Sequence, residues 1–144
     1  MRKIIYNKFD KHDITALPKV LFSGRIIVIN TAAEAEKAVD YLMSQKILGI
    51  DTETRPSFKK GQTHNVALLQ VSTLFRLNLT GITPAIIRLL EDPSIPKIGL
   101  SLRDDINSLH KRADFHPGNF IDLQKHVCEL GVEDLSLQKL YANF

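Results

Sequence analysis

The sequence predicts an α/β domain in which helices flank one mixed β-sheet. Short segments with the composition of strands crowd into residues 25–79. Beyond residue 80, amphipathic helical segments alternate with short apolar segments of strand length. A length of 144 residues suits one domain, and a hydrophobic content of 44% is sufficient for a core.

The first 24 residues are predicted to form a basic, extended N-terminal arm. They show no apolar periodicity, and they contain Pro18 and Gly24, which interrupt regular structure. The predicted domain begins with residues 25–30, a short segment rich in β-branched side chains that is typical of a strand. We therefore divide the chain into an arm, residues 1–24, and a domain, residues 25–144.

The next elements are a helix and two strands. Thr31 and Glu34 have the spacing of a capping box, which predicts that a helix begins at Thr31. The compact apolar segment 47–51 predicts a strand that ends in a carboxylate. Residues 65–72 are apolar on both faces apart from one glutamine, the pattern of a central strand buried on both sides.

The second half of the chain begins with a strand and then alternates between the two kinds of element. Residues 74–79 alternate between apolar and polar side chains, which predicts a strand antiparallel to its predecessor. A helix is predicted to begin at Thr83 with Pro84 in its first position. After a strand at 96–100, Ser101–Asp104 is predicted to be the capping box of the next helix. An amphipathic helix ends the sequence at residues 137–144.

Charge and composition exclude several classes of protein. The net charge is +3, but residues 1–25 carry +4 and the remainder −1, which is compatible with a polyanionic partner or with solubility alone. No apolar segment approaches the roughly 18 residues of a membrane span, and no signal peptide is evident. The single cysteine, Cys128, excludes an intrachain disulfide, and we expect a cytoplasmic protein without a membrane partner.

The first candidate for chemistry is the pair Asp51 and Glu53. Residues two apart on a strand point to the same side, where their carboxylates would repel each other without a cation. Carboxylate oxygens suit Mg²⁺ or Mn²⁺. The alternative interpretation is a solvated strand end without a ligand.

The second candidate is Asp105, at the edge of the apolar stripe of its predicted helix. Its neighbour Asp104 is explained by the predicted capping box, and two acids in a first helical turn are common because the helix dipole favours them. Asp122 is predicted to be a turn or helix-capping residue. The five histidines lack the spacing of a zinc site, and no serine-hydrolase, P-loop or dinucleotide-binding motif occurs.

Three segments resemble the DEDD 3′–5′ exonucleases, in the branch of ribonuclease D and the Werner-type exonuclease domain. The segment LGIDTETRPSF at 48–58, followed by VALLQVS at 66–72, is similar to the first exonuclease motif. KIGLSLRDDINSL at 97–109 resembles the second motif, in which Asp105 matches the metal-binding aspartate. LSLQKLY at 135–141 resembles the helix that follows. The resemblance implies a ribonuclease H-like mixed sheet flanked by helices.

The resemblance also implies a two-metal-ion hydrolysis of the terminal phosphodiester bond that releases 5′-mononucleotides. In that scheme Asp51 bridges two Mg²⁺ or Mn²⁺ ions, and Glu53 binds the first ion and receives the terminal 3′-OH. Asp105 holds the second ion. The implied partner is the 3′ end of a DNA or RNA strand, with the choice between them open and no protein partner predicted.

The polar, basic loop that follows the first motif is the expected substrate contact. Thr54 and Arg55 match positions that touch the terminal nucleotide in the family. Lys59 and Lys60 could neutralise substrate phosphates, although a plain solvated loop is the alternative.

Two departures from the family bear on activity. Leu100–Ser101 stand where many relatives have His-Asn. The third motif, Tyr or His followed four residues later by Asp, does not occur beyond residue 135. We therefore expect a C-terminally incomplete exonuclease domain with little activity. A nucleic-acid-binding module without chemistry and an α/β interaction domain without a ligand are the alternatives.

Overall fold

A computed structural model of the chain describes residues 4–57, 59 and 61–144. The described residues form seven helices: α1 Lys11–Ala16, α2 Ala32–Leu42, α3 Leu77–Thr80, α4 Pro84–Glu91, α5 Leu102–His110, α6 Leu123–Glu129 and α7 Leu137–Asn143. They also form six strands: β1 Val28–Ile29, β2 Leu48–Thr54, β3 Val66–Val71, β4 Leu74–Arg76, β5 Lys97–Gly99 and β6 Phe120–Asp122. Helices flank one mixed sheet, so the predicted fold class is confirmed.

The six strands lie in the order β1-β4-β3-β2-β5-β6. The strands β2, β3 and β4 are antiparallel neighbours, whereas β5 runs parallel to β2, and β6 runs parallel to β5. The predicted antiparallel pairing of β3 with β4 is confirmed. Leu69 and Val71 on one face of β3 and Val66 on the other are buried, whereas the remaining residues of the strand are half-buried. The predicted burial on both faces is therefore incomplete, because one face borders an open cavity at Gln70.

The main core lies on one face of the sheet, and a smaller apolar cluster is formed by α6, α7 and the segment between them. The largest fully buried side chains of the main core are Leu48, Leu69, Phe75, Leu77, Ile86, Leu89, Leu90 and Leu109. The helix α2 buries Ala35, Val39 and Leu42 there, as its apolar periodicity predicts. The predicted capping box is also confirmed, because Thr31 and Glu34 bond each other's backbone N–H groups at 3.0 and 3.2 Å. Within the described residues no helix has the length and apolar character of a membrane span.

Helical structure replaces predicted extended structure in two places. The predicted strand at 74–79 ends at Arg76, and α3 follows. Arg112 reaches α3 from a distant part of the chain, donating to the Leu77 carbonyl at 3.3 Å and to Asn78 Oδ1 at 2.6 Å. The predicted extended arm contains α1, which Asp10 caps by accepting from His12 N at 2.7 Å. The α6 helix has no counterpart among the predicted elements.

The start of the described chain is joined to its end. Asn143 Oδ1 accepts from Tyr6 N at 2.9 Å, and Asn143 Nδ2 donates to Tyr6 O at 2.6 Å. Phe9 N donates to Asp134 Oδ2 at 2.6 Å. Residues 6–9 therefore stabilise α7 and the turn before it, and the predicted boundary at residues 24/25 stays a prediction.

The contribution of this connection to stability can be measured by replacing Asn143. The side chain of Asn143 is 2% exposed, so Asn143→Ala removes two hydrogen bonds from a buried position. We expect the free energy of unfolding to fall by about 1–2 kcal/mol in urea denaturation. Gln138→Ala, an exposed position on the same helix, is the control. Equal stability of the two variants would contradict a role for the connection.

Candidate functional site

The candidate site is built around the second half of β2. Leu48 and Ile50 of this strand are buried in the core, whereas Asp51 and Glu53 are exposed. Alternation along the strand places both carboxylates on the same side, away from the core, as the sequence predicts. Asp51 is paired in register with Gln70 of β3, so an amide side chain faces the first carboxylate across the sheet.

A glycine at the end of β5 brings α5 against β2. The strand β5 pairs only with Leu48 and Gly49 of β2, which leaves that edge of residues 50–54 free. A Cβ atom on Gly99 would lie 2.5 Å from the Ile50 carbonyl oxygen and would also overlap the Leu102 side chain. Glycine at this position therefore lets the first turn of α5 approach the free edge of β2.

The start of α5 is capped by a distant aspartate. Asp122 accepts from the backbone N–H groups of Ser101 and Leu102 at 2.9 and 3.1 Å, and from Gln124 N at 3.0 Å. It therefore caps both α5 and α6, which confirms its predicted capping role. The predicted capping box at Ser101–Asp104 is wrong, because Ser101 adopts a left-handed conformation with φ 59° and makes no side-chain cap.

Asp105 is the helical carboxylate that faces β2. The Thr52 hydroxyl donates a hydrogen bond to Asp105 Oδ1, and Thr52 N donates to Asp51 Oδ1 at 2.8 Å. Asp104, one residue earlier, is exposed. Thr52 thus connects two carboxylates that are separated in sequence but adjacent at this end of the sheet.

The electrostatics of Asp105 are those of a half-buried acid beside another acid. Burial raises the pKa of the Asp105 carboxyl above its ordinary value, and the negative charge of Asp51 adds to the rise. The hydrogen bonds from Thr52 oppose it. The arrangement therefore disfavours two negative charges together, and a bound cation would relieve that repulsion.

Glu53 does not complete a three-carboxylate centre. Among residues 4–57, 59 and 61–144, no three Asp, Glu, His or Cys side chains are arranged to hold a metal ion. The hydrogen bonds of Thr52 connect Asp51 with Asp105 and leave out Glu53. The physical reason is that Asp105 turns toward Thr52, whereas Glu53 lies on β2 about 6.8 Å beyond Asp51. The assignment of the three as metal ligands stays a prediction.

The predicted substrate residues lie at the end of β2 and in the loop after it. Thr54 is the last residue of β2 and follows an irregularity in its pairing with β3. The side chains of Thr54, Arg55 and Lys59 are exposed, and Lys60 lies outside the described residues. Their contacts with a nucleotide stay predictions.

An open cavity of about 640 Å³ lies beside Asp51 on the side of the sheet opposite the core. Gln70, Ser72 and Ser101 contribute polar groups to its lining, and apolar side chains contribute most of the remainder. A space of this size and character, next to a carboxylate, suits a small organic ligand such as one nucleotide.

Sequence reasoning missed how several residues position the site. Thr52 was not singled out, although a hydroxyl residue between two acids on a strand was available as a signal. Gly99 is recognisable as the end of a strand, but its steric role is not. Asp122 was predicted to cap a helix, but its contact with the start of α5 spans 20 residues and has no local signal.

The pKa of Asp105 predicts how stability changes with pH. Because the folded state raises this pKa, it binds the proton more tightly than the unfolded state does. The stabilising contribution of Asp105 is therefore present below the ordinary pKa of an aspartate, near 3.9. It is lost as the pH rises through the higher pKa that Asp105 has in the folded state. We expect Asp105→Asn to be more stable than the parent at pH 7 without metal, with the difference shrinking toward pH 3.

Urea denaturation at several pH values measures this effect. Asp104→Asn removes the same charge from an exposed position of the same helical turn and is the matched control. An Asp105→Asn variant that is less stable than the parent at pH 7, or a difference that is independent of pH, would contradict the assignment.

Comparison with known proteins gives a consistent result. A family model described as 3′-5′ exonuclease matches residues 26–144. A 3′-5′ exonuclease of Arabidopsis thaliana is 29% identical over 105 residues, which cover 61% of this chain and 36% of that protein.

Solved structures share the fold. The Aedes aegypti Nibbler EXO domain has a TM-score of 0.65 at 15% identity, covering 76% of this chain and 58% of that one. The EXD2 exonuclease domain soaked in Mg and GMP has a TM-score of 0.62 at 21% identity, covering 74% and 60%. The chain thus spans less than two thirds of each of these proteins. The predicted ribonuclease H-like fold is confirmed.

Proposed function

We propose, on the premise that this chain belongs to the 3′-5′ exonuclease family, that its site hydrolyses the terminal phosphodiester bond of a nucleic acid strand from the 3′ end. The products would be 5′-mononucleotides, and the cofactors Mg²⁺ or Mn²⁺. A cytoplasmic location stays a prediction.

The observation that carries the proposal is the meeting of Asp51 and Asp105 at the free edge of β2. They come from a strand and a helix more than 50 residues apart, and Thr52 hydrogen-bonds both. Acids that belonged only to solvated surface would gain nothing from such proximity, since the charge of Asp51 raises the cost of ionising Asp105. Such an arrangement is typical of a functional site.

The donor set fits a hard divalent cation. Both groups are carboxylates at the same end of β2, and the raised pKa of Asp105 reflects in part the negative charge of Asp51, which a cation would offset. Asp51 and Asp105 would hold the metal, with Glu53 contributing from the same side of β2 as Asp51. When bound, a pair of such ions supplies an activated water and stabilises charge on the phosphate oxygens.

The remaining residues would position the metal ligands and the substrate. Thr52 holds Asp105 by its hydroxyl, so that one carboxylate oxygen stays free to serve as a ligand. Arg55, Lys59 and Lys60 would neutralise phosphates, and Thr54 would contact the terminal nucleotide. This division places charge neutralisation on the loop and chemistry on the rigid strand and helix.

The experiment is a digestion of a 5′-labelled single strand by the encoded protein, including any coding sequence after Phe144, with Mn²⁺ or with EDTA. A ladder that shortens stepwise with Mn²⁺ and is absent with EDTA is the expected result. The 144-residue chain is assayed in parallel, and we expect it to bind metal weakly and to turn over little. Uncleaved strand from the encoded protein under both conditions would contradict the proposal.

A second candidate is a nucleic-acid-binding module of the same fold without chemistry. It is favoured by the absence of a three-ligand group among the residues that the structure describes. Binding of a single strand without shortening, and without a rise in melting temperature on adding Mn²⁺, would favour this candidate over the nuclease.

A further inference from the structure

A groove between α5 and α6 lies outside the candidate site. Its volume is about 480 Å³. Apolar side chains, among them Ile106 and Phe120, line it together with two basic side chains, Arg103 and Lys125. Basic groups that neutralise phosphates, beside apolar groups that contact bases, are typical of surfaces that bind single-stranded nucleic acids.

The basic side chains of this groove are available to an external anion. Arg103 and Lys125 are exposed, and neither takes part in an ion pair in the described part of the chain. Asp122, the acid in the lining, accepts three backbone N–H bonds at the starts of α5 and α6. Its oxygens are thus engaged by the backbone instead of by the lysine or arginine.

Positions on the α5 helix relate the groove to the candidate centre. Arg103 and Asp105 are two residues apart on α5, which is about 200° around the helix axis. Ile106, which also lines the groove, is about 100° from Asp105, so the groove extends from beside the Asp105 face of α5 to its opposite side. A helix is roughly 10 Å across, so a nucleic acid strand whose 3′ end lies at Asp105 could reach the groove within a few nucleotides.

We propose that this groove binds the phosphate backbone of the single-stranded segment adjoining the terminal nucleotide. This proposal rests on the proposed function, because the groove would bind part of the nucleic acid that the nuclease hydrolyses. Arg103 and Lys125 would contact phosphates, the first by its planar fork and the second as a point charge. The half-buried Phe120 adds apolar surface to the lining of the groove.

Binding in EDTA tests the proposal without any turnover. Fluorescence anisotropy of a short labelled single strand gives the Kd at several salt concentrations for the parent 144-residue chain and two charge-matched variants. One variant carries Arg103→Gln and Lys125→Gln in the groove. The control carries Lys37→Gln and Lys46→Gln, two exposed lysines that do not line the groove. Equal melting temperatures establish that each variant is folded, and Lys125→Gln alone replaces the double variant if it is not.

The groove variant is expected to raise the Kd about 5- to 10-fold and to lower the slope of log K against log salt by about 0.7 for each lost phosphate contact. The control should change the Kd less than 2-fold. Equal effects of the two variants, or no binding by the parent, would overturn the proposal. Displacement of the strand by polyglutamate at equal charge would instead identify an acidic protein segment as the ligand, which also overturns it.

Different results would contradict the two proposals. Unchanged binding by the groove variant in EDTA would contradict the groove proposal. If the encoded protein does not shorten the labelled nucleic acid in the presence of metal, the proposed function is contradicted, whatever the affinity of the protein for the nucleic acid.

Discussion

An Asp51→Asn variant of the encoded protein is expected to lose at least about 10³-fold in nuclease turnover while remaining folded. Residues that act together on one reaction fail together, so the loss of a single charged ligand removes most of the catalysis. The amide of asparagine can still accept from Thr52 N, a bond of 2.8 Å in the structure. Local backbone geometry should therefore survive the substitution.

The stability of this variant carries a second expectation. The negative charge of Asp51 contributes to the raised pKa of Asp105, so removing it relieves repulsion. We expect the melting temperature without metal to be equal to that of the parent or higher, and the rise on adding Mn²⁺ to disappear. Turnover is measured by the stepwise ladder from a 5′-labelled strand.

Asp104→Asn is the matched control for that assay, because Asp104 is an exposed acid beside Asp105. It should retain turnover within a few fold of the parent. A ladder that survives Asp51→Asn unchanged would show that the chemistry lies elsewhere in the protein.

Local signals in the sequence were sufficient for most of the fold. The capping box at Thr31 and the proline after Thr83 each involve residues within one helical turn, and both helices begin where predicted. The alternation of β4 and the apolar character of β3 likewise depend on neighbouring residues, and their pairing is confirmed. Where the interactions that decide a structure are local, the sequence displays them.

Two of the differences depend on contacts between distant residues. The α3 helix forms where a strand was predicted, and Arg112 bonds Leu77 and Asn78 from more than 30 residues away. Ser101 reads as a helix cap from its spacing, yet Asp122 supplies the acceptor across 20 residues. Such partners leave no trace in local periodicity.

The candidate site shows the same division. The D-T-E triplet and its strand identified Asp51 and Glu53, and the family resemblance chose Asp105 over Asp104. The orientation of Asp105 toward Thr52 is a tertiary outcome. It depends on how closely α5 approaches β2, which Gly99 permits.

Gly99→Ala is expected to have the second large effect, on stability and on the site together. The added methyl group would lie 2.5 Å from the Ile50 carbonyl oxygen, which is backbone of the neighbouring strand and cannot rotate away. Either β5 or the first turn of α5 must move. Overpacking of this kind costs about 2–3 kcal/mol in the free energy of unfolding.

Gly49→Ala is the matched control, since Gly49 lies on the neighbouring strand β2 and is paired in register with Ile98. No atom lies within 4 Å of the position that an added methyl group would take there. This variant should therefore be neutral, or more stable by about 0.5 kcal/mol through reduced freedom of the unfolded chain. Urea denaturation of both variants measures the difference.

Gly99→Ala should impair function even under conditions in which the variant is still folded. A shift of α5 away from β2 would lengthen the contact between Thr52 and Asp105 and separate Asp105 from Asp51. Turnover and Mn²⁺ affinity should then fall at temperatures where the variant is still fully folded. A folded Gly99→Ala protein with parental metal affinity would show that the approach of α5 to β2 does not position the carboxylates.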